Sequence, residues 1–313
     1  EATLPANGDV IYHLAISEKD LADNIIVVGD PERVPKAANL IFDKSKPVFR
    51  MDHRGLTTMT GYTTNGVRVS FVTTGMGTGS TEIIINEIIA LKSIDVATRT
   101  VKPRPTKPIN IIRVGTSGAI QESTELGTSI ITKYAIGLDN TGMYYDVPLN
   151  DKDAQTLEQR IDKAIDDAIP EGRRFKGRII PYVSVTNDKV VAALEQAAKE
   201  EKLLYKVGIT ASAGGFFGCQ GRYIIEGNPL TIDSLDLVLA NTGVGEYKVE
   251  NFEMEISTIA QITQNLGFVR SGSICLAIAN RRLNTFASQE KANIDSTMKV
   301  AVHALEILDK IPL

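Results

Sequence analysis

Ile109-Asn110-Ile111-Ile112-Arg113-Val114-Gly115-Thr116-Ser117-Gly118 is the stretch on which the fold turns. Its isoleucine- and valine-rich run, ending in glycine and small polar residues, is the pattern of a strand buried on both faces. Arg113 is unexpected at the end of such a strand, because an unpaired guanidinium is costly to bury. Something anionic should meet it. A buried Asp or Glu is the structural alternative and phosphate the functional one. Open α/β sheets bind ligands at the carboxy-terminal edge of their strands, which keeps the second alternative in play.

Outward from this stretch, similar runs recur, each ending in glycine or a small polar residue. Asn24 to Val28 leads into Gly29, and Val67 to Thr73 leads toward Gly75. Gly127 to Thr132, Arg178 to Val185, Leu235 to Ala240 and Ser273 to Ala279 read as strands on the same grounds. Helical patterns lie between them. Leu157, Ile161, Ile165 and Ile169 repeat every four residues behind Asp151 and Asp153, and Pro170 stops the run. Asp188 is placed to cap a helix from Lys189 to about Leu203, and Asn251 to Leu266 reads as a helix closed by Gly267. Ile294, Met298, Ala301, Leu305 and Leu308 mark a last helix. This alternation predicts an α/β layered fold with a largely parallel sheet, as one domain over 1–313. Residues 97–108, with three prolines and four basic residues, read as a surface loop.

Bulk properties narrow the function. The chain has 313 residues, 43% of them hydrophobic, with 34 basic against 38 acidic side chains and a net charge of -4. That balance offers no global attraction for nucleic acid or an anionic membrane, although a local arginine cluster can still hold a small anion. Cys219 and Cys275 form no CxxC pair and lie near no metal-like histidine spacing, so neither a disulfide framework nor a zinc site is expected. No uncharged apolar run approaches the roughly 20 residues that cross a bilayer, and Glu1 to Asn7 lacks the regions of a secretory signal. The expected location is the cytoplasm.

Five segments carry chemistry. Gly29-Asp30-Pro31-Glu32-Arg33 follows a strand; its glycine permits close backbone approach and Arg33 offers a planar fork to an oxyanion, although a solvent-facing Arg33 fits as well. Gly75-Met76-Gly77-Thr78-Gly79-Ser80-Thr81 joins a strand to an apolar helix starting near Glu82, where a turn can aim N–H groups at an anion or simply pack tightly. It is GxGxG and not GxGxxG, and the next strand ends at Arg113 and not at a ribose-binding carboxylate, which argues against a nicotinamide cofactor. Arg113 with Thr116 is the third. Phe216-Phe217-Gly218-Cys219-Gln220-Gly221-Arg222 gathers an aromatic face, an amide and a guanidinium, able to stack on a flat heterocycle and bond its edge, or to form a solvated loop. Asn251-Phe252-Glu253-Met254-Glu255 places two carboxylates at a helix start, favourable there for dipole reasons alone but also able to grip sugar hydroxyls.

In this order, and together with Val10-Ile11-Tyr12-His13-Leu14, these segments resemble the nucleoside phosphorylase-I family, and most its uridine phosphorylases, over nearly the whole chain. The resemblance implies a single three-layer α/β/α domain around a twisted mixed sheet. It also implies reversible phosphorolysis of uridine to uracil and ribose 1-phosphate in pyrimidine salvage, with no organic cofactor and phosphate as co-substrate. By that resemblance Gly29, Arg33, Arg113 and Thr116 bind phosphate, and Arg54 is lent to that site by a neighbouring subunit. His13 comes from the same neighbour and contacts the ribose 5′-hydroxyl. Glu253, Met254 and Glu255 match the ribose-binding stretch. Phe216, Gln220 and Arg222 match the uracil-recognising set, with Arg281 closing over the base. Arg113, Gln220 and Arg222 are the residues expected to carry catalysis. A homo-oligomer, at least a dimer with shared sites, follows.

Asn280 stands near the place where bacterial purine nucleoside phosphorylases of the family have an aspartate, so Asn280-Arg281 follows the uridine pattern. Gly55 replaces a glutamate that binds an interface cation in some members, which leaves that ion open and gives no expected metal ligand. Residues 97–108 and 227–234 look longer than in typical bacterial members. Purine phosphorolysis, nucleoside hydrolysis and non-catalytic nucleoside binding are the alternatives; the presence of both Arg33 and Arg113 favours a phosphate-using enzyme.

Overall fold

All five residues of β1 (Asn24–Val28) are buried, and they divide between two helical layers. Ile26 and Val28 pack with α1 (Arg33–Ile41), α4 (Asp188–Glu200) and α7 (Asp295–Asp309), while Ile25 and Val27 pack with α2 (Thr78–Ser93) and α6 (Ile256–Thr263). Strand side chains alternate between faces, so the unbroken apolar run Ile25–Val28 must be covered on both. The result is the expected α/β/α arrangement. The computed structural model describes residues 4–103, 105, 107–288 and 293–313.

Besides a two-residue edge strand at Gly243–Val244, the remaining strands of the main sheet are β2 (Phe49–His53), β3 (Leu56–Tyr62), β4 (Arg68–Thr73), β5 (Ile109–Ala119), β6 (Ser129–Leu138), β7 (Tyr182–Val185), β8 (Tyr205–Ala213), β9 (Tyr247–Glu253), β10 (Val269–Asn280) and β11 (Thr285–Phe286). Their order is β9-β8-β6-β10-β5-β1-β4-β3-β2, with Gly243–Val244 antiparallel beside β9, β7 beside β6 and β11 beside β10. The sheet is mixed and not largely parallel: β10 runs parallel to β5, but β6 is antiparallel to β10. The end of β5 also pairs antiparallel with β9, Asn251 opposite Ala119 and Phe252 opposite Gly118, so five strands close on themselves. This closure brings Glu253 at the end of β9 to the strand carrying Arg113. A third apolar cluster packs α3 (Lys152–Ala168) and α5 (Leu235–Ala240) on the outside of β6, β8 and β9.

Several expectations need correction. Leu235–Ala240 is α5, not a strand. Its six residues carry no turn signal distinguishing a short buried helix from a strand, and packing against α3 decides. Asn251 to Leu266 is not one helix: Asn251–Glu253 ends β9, and α6 begins only at Ile256. The cap of α4 is Asn187, whose side chain accepts from the Lys189 N–H at 3.0 Å, not Asp188. Asp151 does cap α3, accepting from Ala154 N–H at 2.8 Å. Within 97–108, positions 104 and 106 lie outside the described residues, and Thr100–Val101 pairs with Ile94–Asp95 in a small antiparallel ladder.

One packing feature locks β7 against β6. Tyr182 fills space over Gly137 and Gly142, where an added Cβ at Gly137 would sit 2.1 Å from the ring. Its hydroxyl donates to Asp139 at 2.9 Å, and burial with the nearby Asp139 carboxylate raises its pKa. Gly137→Ala is expected to destabilise the protein by about 2 kcal/mol or more, because a buried aromatic ring and a strand backbone cannot both give way. Chemical denaturation checks this; an unchanged midpoint would show that Tyr182 moves aside freely.

Candidate active site

The site grows from strand ends on one edge of the sheet. β1 runs out at Gly29, where an added Cβ would stand 3.3 Å from the Gly75 carbonyl oxygen, so the turns after β1 and β4 lie against each other. Asp30 Oδ1 accepts from Glu32 N–H at 2.9 Å, shaping the turn that delivers Arg33 to the start of α1. Gly75 and Gly77 both have positive φ, +73° and +87°, a conformation glycine adopts without a Cβ penalty. The Gly77 N–H then donates to Glu255 Oε1 at 2.7 Å.

Arg113 meets the anions that the sequence demanded, and they are carboxylates of its own chain. Its Nε donates to Glu253 Oε2 at 2.6 Å and its Nη2 to Glu255 Oε2; Nη1 has no protein acceptor among the described residues. Gly115 leaves room for the fork, since a Cβ there would be 2.7 Å from Nη1. Burial works against the Arg113 charge, but Glu255 and Glu253 outweigh it and hold the guanidinium firmly protonated. Glu253 is fully engaged. It also accepts from Ser212 Oγ and from the backbone N–H groups of Glu255 (2.9 Å) and Ile256 (3.1 Å), tying the start of α6 to β8 and β5. Burial raises the pKa of Glu255, Arg113 pulls against that, and Glu253 adds to it. Arg33 is half-buried near this pair; burial lowers its pKa, with Asp30 at 3.9 Å opposing and Arg113 adding.

A second cluster forms on the loop after β8. A short 3₁₀ turn, Gly218–Gln220, buries Gln220, and Gly221 leaves it in the left-handed region with φ +66°. Arg222 lies over Phe216, its guanidinium carbon 3.9 Å from the ring centre, and Nη1 donates to Phe216 O at 2.6 Å and to Gln220 Oε1. Burial and the neighbouring Arg281 bring the Arg222 pKa down to about 10. Arg281 donates to the Gln220 carbonyl and stands 5.1 Å over Phe252.

Both clusters open onto one cleft of about 260 Å³. Of the residues expected from sequence, Gly29, Arg33, Arg113, Thr116, Phe216, Gln220, Arg222, Glu253, Met254 and Glu255 line it together. Arg281 is not in its lining and braces the Gln220 loop from Phe252. His13 and Arg54 lie elsewhere. Arg54 occupies a two-residue hairpin turn with Gly55, both at positive φ, and its guanidinium faces Tyr12 at 5.5 Å. His53 Nδ1 is 2.9 Å from the His13 carbonyl, so the hairpin and the His13 segment form one separate cluster.

Sequence reasoning gave no site role to Asp30, Met76, Ser117, Gly118, Phe252, Ile278, Ala279 and Phe286, which also line the cleft. Ile278 and Ala279 were readable as a strand end, but Phe286 arrives through the β10–β11 hairpin and left no signal. Ser212, which holds Glu253, was missed with β8 itself; the alternation Val207, Ile209, Ala211 against Thr210 and Ser212 was the available clue. Asn280 is saturated: its amide donates to Gln121 O and Thr124 O, and its oxygen accepts from Arg282 and Leu283 N–H. Cys275 is buried beside Arg113 with its thiol pushed up to about 11, so it stays protonated and is no nucleophile. Among the described residues, no group of three or more His, Cys, Asp or Glu is placed to hold a metal ion, and no helix is long and apolar enough to cross a membrane.

In chemical terms, the cleft offers two guanidiniums for an anion, carboxylates and a thioether for a sugar, and an amide, a guanidinium and an aromatic face for a flat base. The phosphorylase superfamily model matches residues 23–311. A uridine phosphorylase of Thermococcus kodakarensis is 31% identical over 95% of this chain and 86% of its own length. One from Escherichia coli is 27% identical over 95% of each chain. A solved nucleoside phosphorylase of Trypanosoma brucei, described as showing uridine phosphorylase activity, superposes with a TM-score of 0.84 at 29% identity, over 97% of this chain and 99% of the other.

Proposed function

Because this chain belongs to the phosphorylase superfamily, we propose that it catalyses the reversible phosphorolysis of uridine to uracil and ribose 1-phosphate, as a pentosyltransferase of pyrimidine salvage. The observation that carries this reading is the single cleft shared by Arg33 and Arg113 with Phe216, Gln220 and Arg222. The named relatives along nearly the full chain support it. In this reading the chain works in the cytoplasm, residues 1–313 act as one domain, and phosphate is the only co-substrate.

Bond cleavage gives the ribose oxocarbenium character as uracil departs with the bonding electrons. Phosphate held by Gly29, Arg33, Arg113 and Thr116 lies beneath C1′, stabilises that charge and captures it, largely a positioning contribution. Gln220 and Arg222 stabilise the negative charge that develops on uracil, with Phe216 against the ring; their mutual hydrogen bond holds them in place before substrate arrives. Glu255 and Met254 face the ribose. Glu253 is a bracket for Arg113 and α6 in this scheme, since its oxygens are already engaged. His13 and Arg54, outside the cleft of their own chain, complete the site of a neighbouring copy. Purine phosphorolysis is less well supported, because the Asn280 amide is consumed by backbone groups and assists no leaving group.

Phosphorolysis and hydrolysis separate in one experiment. Uridine should be stable with the protein in phosphate-free buffer, turnover should begin on adding phosphate, and arsenate should substitute. Steady uracil release with neither anion present would replace phosphorolysis by hydrolysis. Faster turnover of inosine than of uridine would refute the base assignment.

A further inference from the structure

Glu87 is a carboxylate buried among the apolar side chains of α2. Ile84, Ile85, Ile88 and Leu91 surround it along α2, and it takes no part in the cleft. A buried carboxylate needs partners, and among the described residues its hydrogen-bond partners all come from one dipeptide. Oε1 accepts from the His13 N–H at 2.8 Å and lies 2.7 Å from His13 Nδ1, and Oε2 accepts from the Leu14 N–H at 2.8 Å. Tyr12 also meets the imidazole edge-on at 4.9 Å, and His53 Nδ1 lies 2.9 Å from the His13 backbone carbonyl oxygen, holding the segment.

The two backbone bonds would suffice to anchor the segment. The ring bond does something more. A carboxylate only accepts, so the hydrogen of a neutral His13 must sit on Nδ1, which leaves Nε2 as a bare acceptor. An acceptor is what a substrate hydroxyl requires if it is to donate. A second-layer carboxylate fixing a histidine tautomer is a recurrent device.

We propose that Glu87 is a positioning residue for nucleoside recognition: it locks His13 as the Nδ1–H tautomer, so that Nε2 accepts a hydrogen bond from the 5′-hydroxyl of a nucleoside bound in the neighbouring subunit. The proposal rests on the reading above, in which His13 serves a neighbour's site. It adds that α2, whose preceding Gly77 contacts Glu255 in one site, also sets the histidine offered to the other.

The test is the ratio of kcat/KM for uridine to that for 5′-deoxyuridine, measured on one sample so that any inactive fraction cancels. In the natural protein the ratio should be about tenfold or more, the worth of one good hydrogen bond. It should fall at least about threefold in Glu87→Gln and approach unity in His13→Ala. In the double variant Glu87→Gln should add nothing further to the ratio, as coupled residues require. Nitrogen-15 spectra of the His13 ring should show Nδ1 protonated in the natural protein and the tautomers mixed in Glu87→Gln. A purely structural Glu87 would depress both substrates alike and leave the ratio and the tautomer unchanged, which would overturn the proposal. A ratio near unity in the natural protein would instead remove His13 from the 5′-hydroxyl, and the shared-site reading of His13 with it.

Discussion

Arg113→Ala is expected to lower kcat/KM for uridine phosphorolysis by about 10³-fold or more, and to destabilise the fold by about 3–5 kcal/mol. Two losses coincide. The cleft loses a guanidinium aimed at the anion, and Glu253 and Glu255 lose the charge that lies between them. With Arg113 gone, two neighbouring buried carboxylates lose their compensating charge and keep only neutral hydrogen-bond donors. Adding Glu255→Gln to Arg113→Ala should therefore recover part of the stability and none of the activity. Thermal or chemical denaturation and steady-state rates at saturating phosphate check the two effects separately. Activity within tenfold of the natural protein would mean that Arg113 is a structural partner of the carboxylates and not a phosphate ligand. Arg113→Lys should retain much of the stability but little of the rate, because an ammonium cannot serve Glu253, Glu255 and an anion with one planar fork.

Arg54→Ala and Arg222→Ala, each nearly inactive alone, are expected to restore activity to each other when their subunits are exchanged. Arg222 lines the cleft of its own chain, whereas Arg54 sits on the hairpin turn beside Tyr12, outside that cleft. In a two-fold dimer with shared sites, a mixed pair concentrates both defects in one site and leaves the other intact. Random exchange at equal amounts makes half the dimers mixed, so about a quarter of the natural activity should return. Differently tagged chains, unfolded and refolded together, show whether mixed dimers form. Mixed dimers no more active than the single variants would place Arg54 within its own subunit's function or outside function altogether.

Much of the site was legible because strand ends announce themselves. Gly29, Gly75 and Gly115 each close a run of β-branched residues, and Arg33, Arg113 and Thr116 lie within a few residues of Gly29 or Gly115, so local sequence carried them into one edge of the sheet. The Phe216–Arg222 loop was legible for its unusual grouping of aromatic, amide and guanidinium. Errors fell where local signals are degenerate. Leu235–Ala240 is equally apolar as strand or helix, and Asn251–Glu253 was absorbed into the helix that follows it. Glu253 and Glu255 were expected as ribose ligands, but only the closure of β9 against β5 made Arg113 their shared partner.

The sequence by itself determined the layered α/β class, the strand-end glycines and the arginines that an anion would need, because burial on both faces and the cost of an unpaired guanidinium act through near neighbours in the chain. Tertiary structure alone decided which carboxylates answer Arg113, that Asn280 is spent on backbone groups, and that Glu87 holds His13. These are contacts between segments distant along the chain, set by how the sheet closes and where helices pack, and no local spacing encodes them.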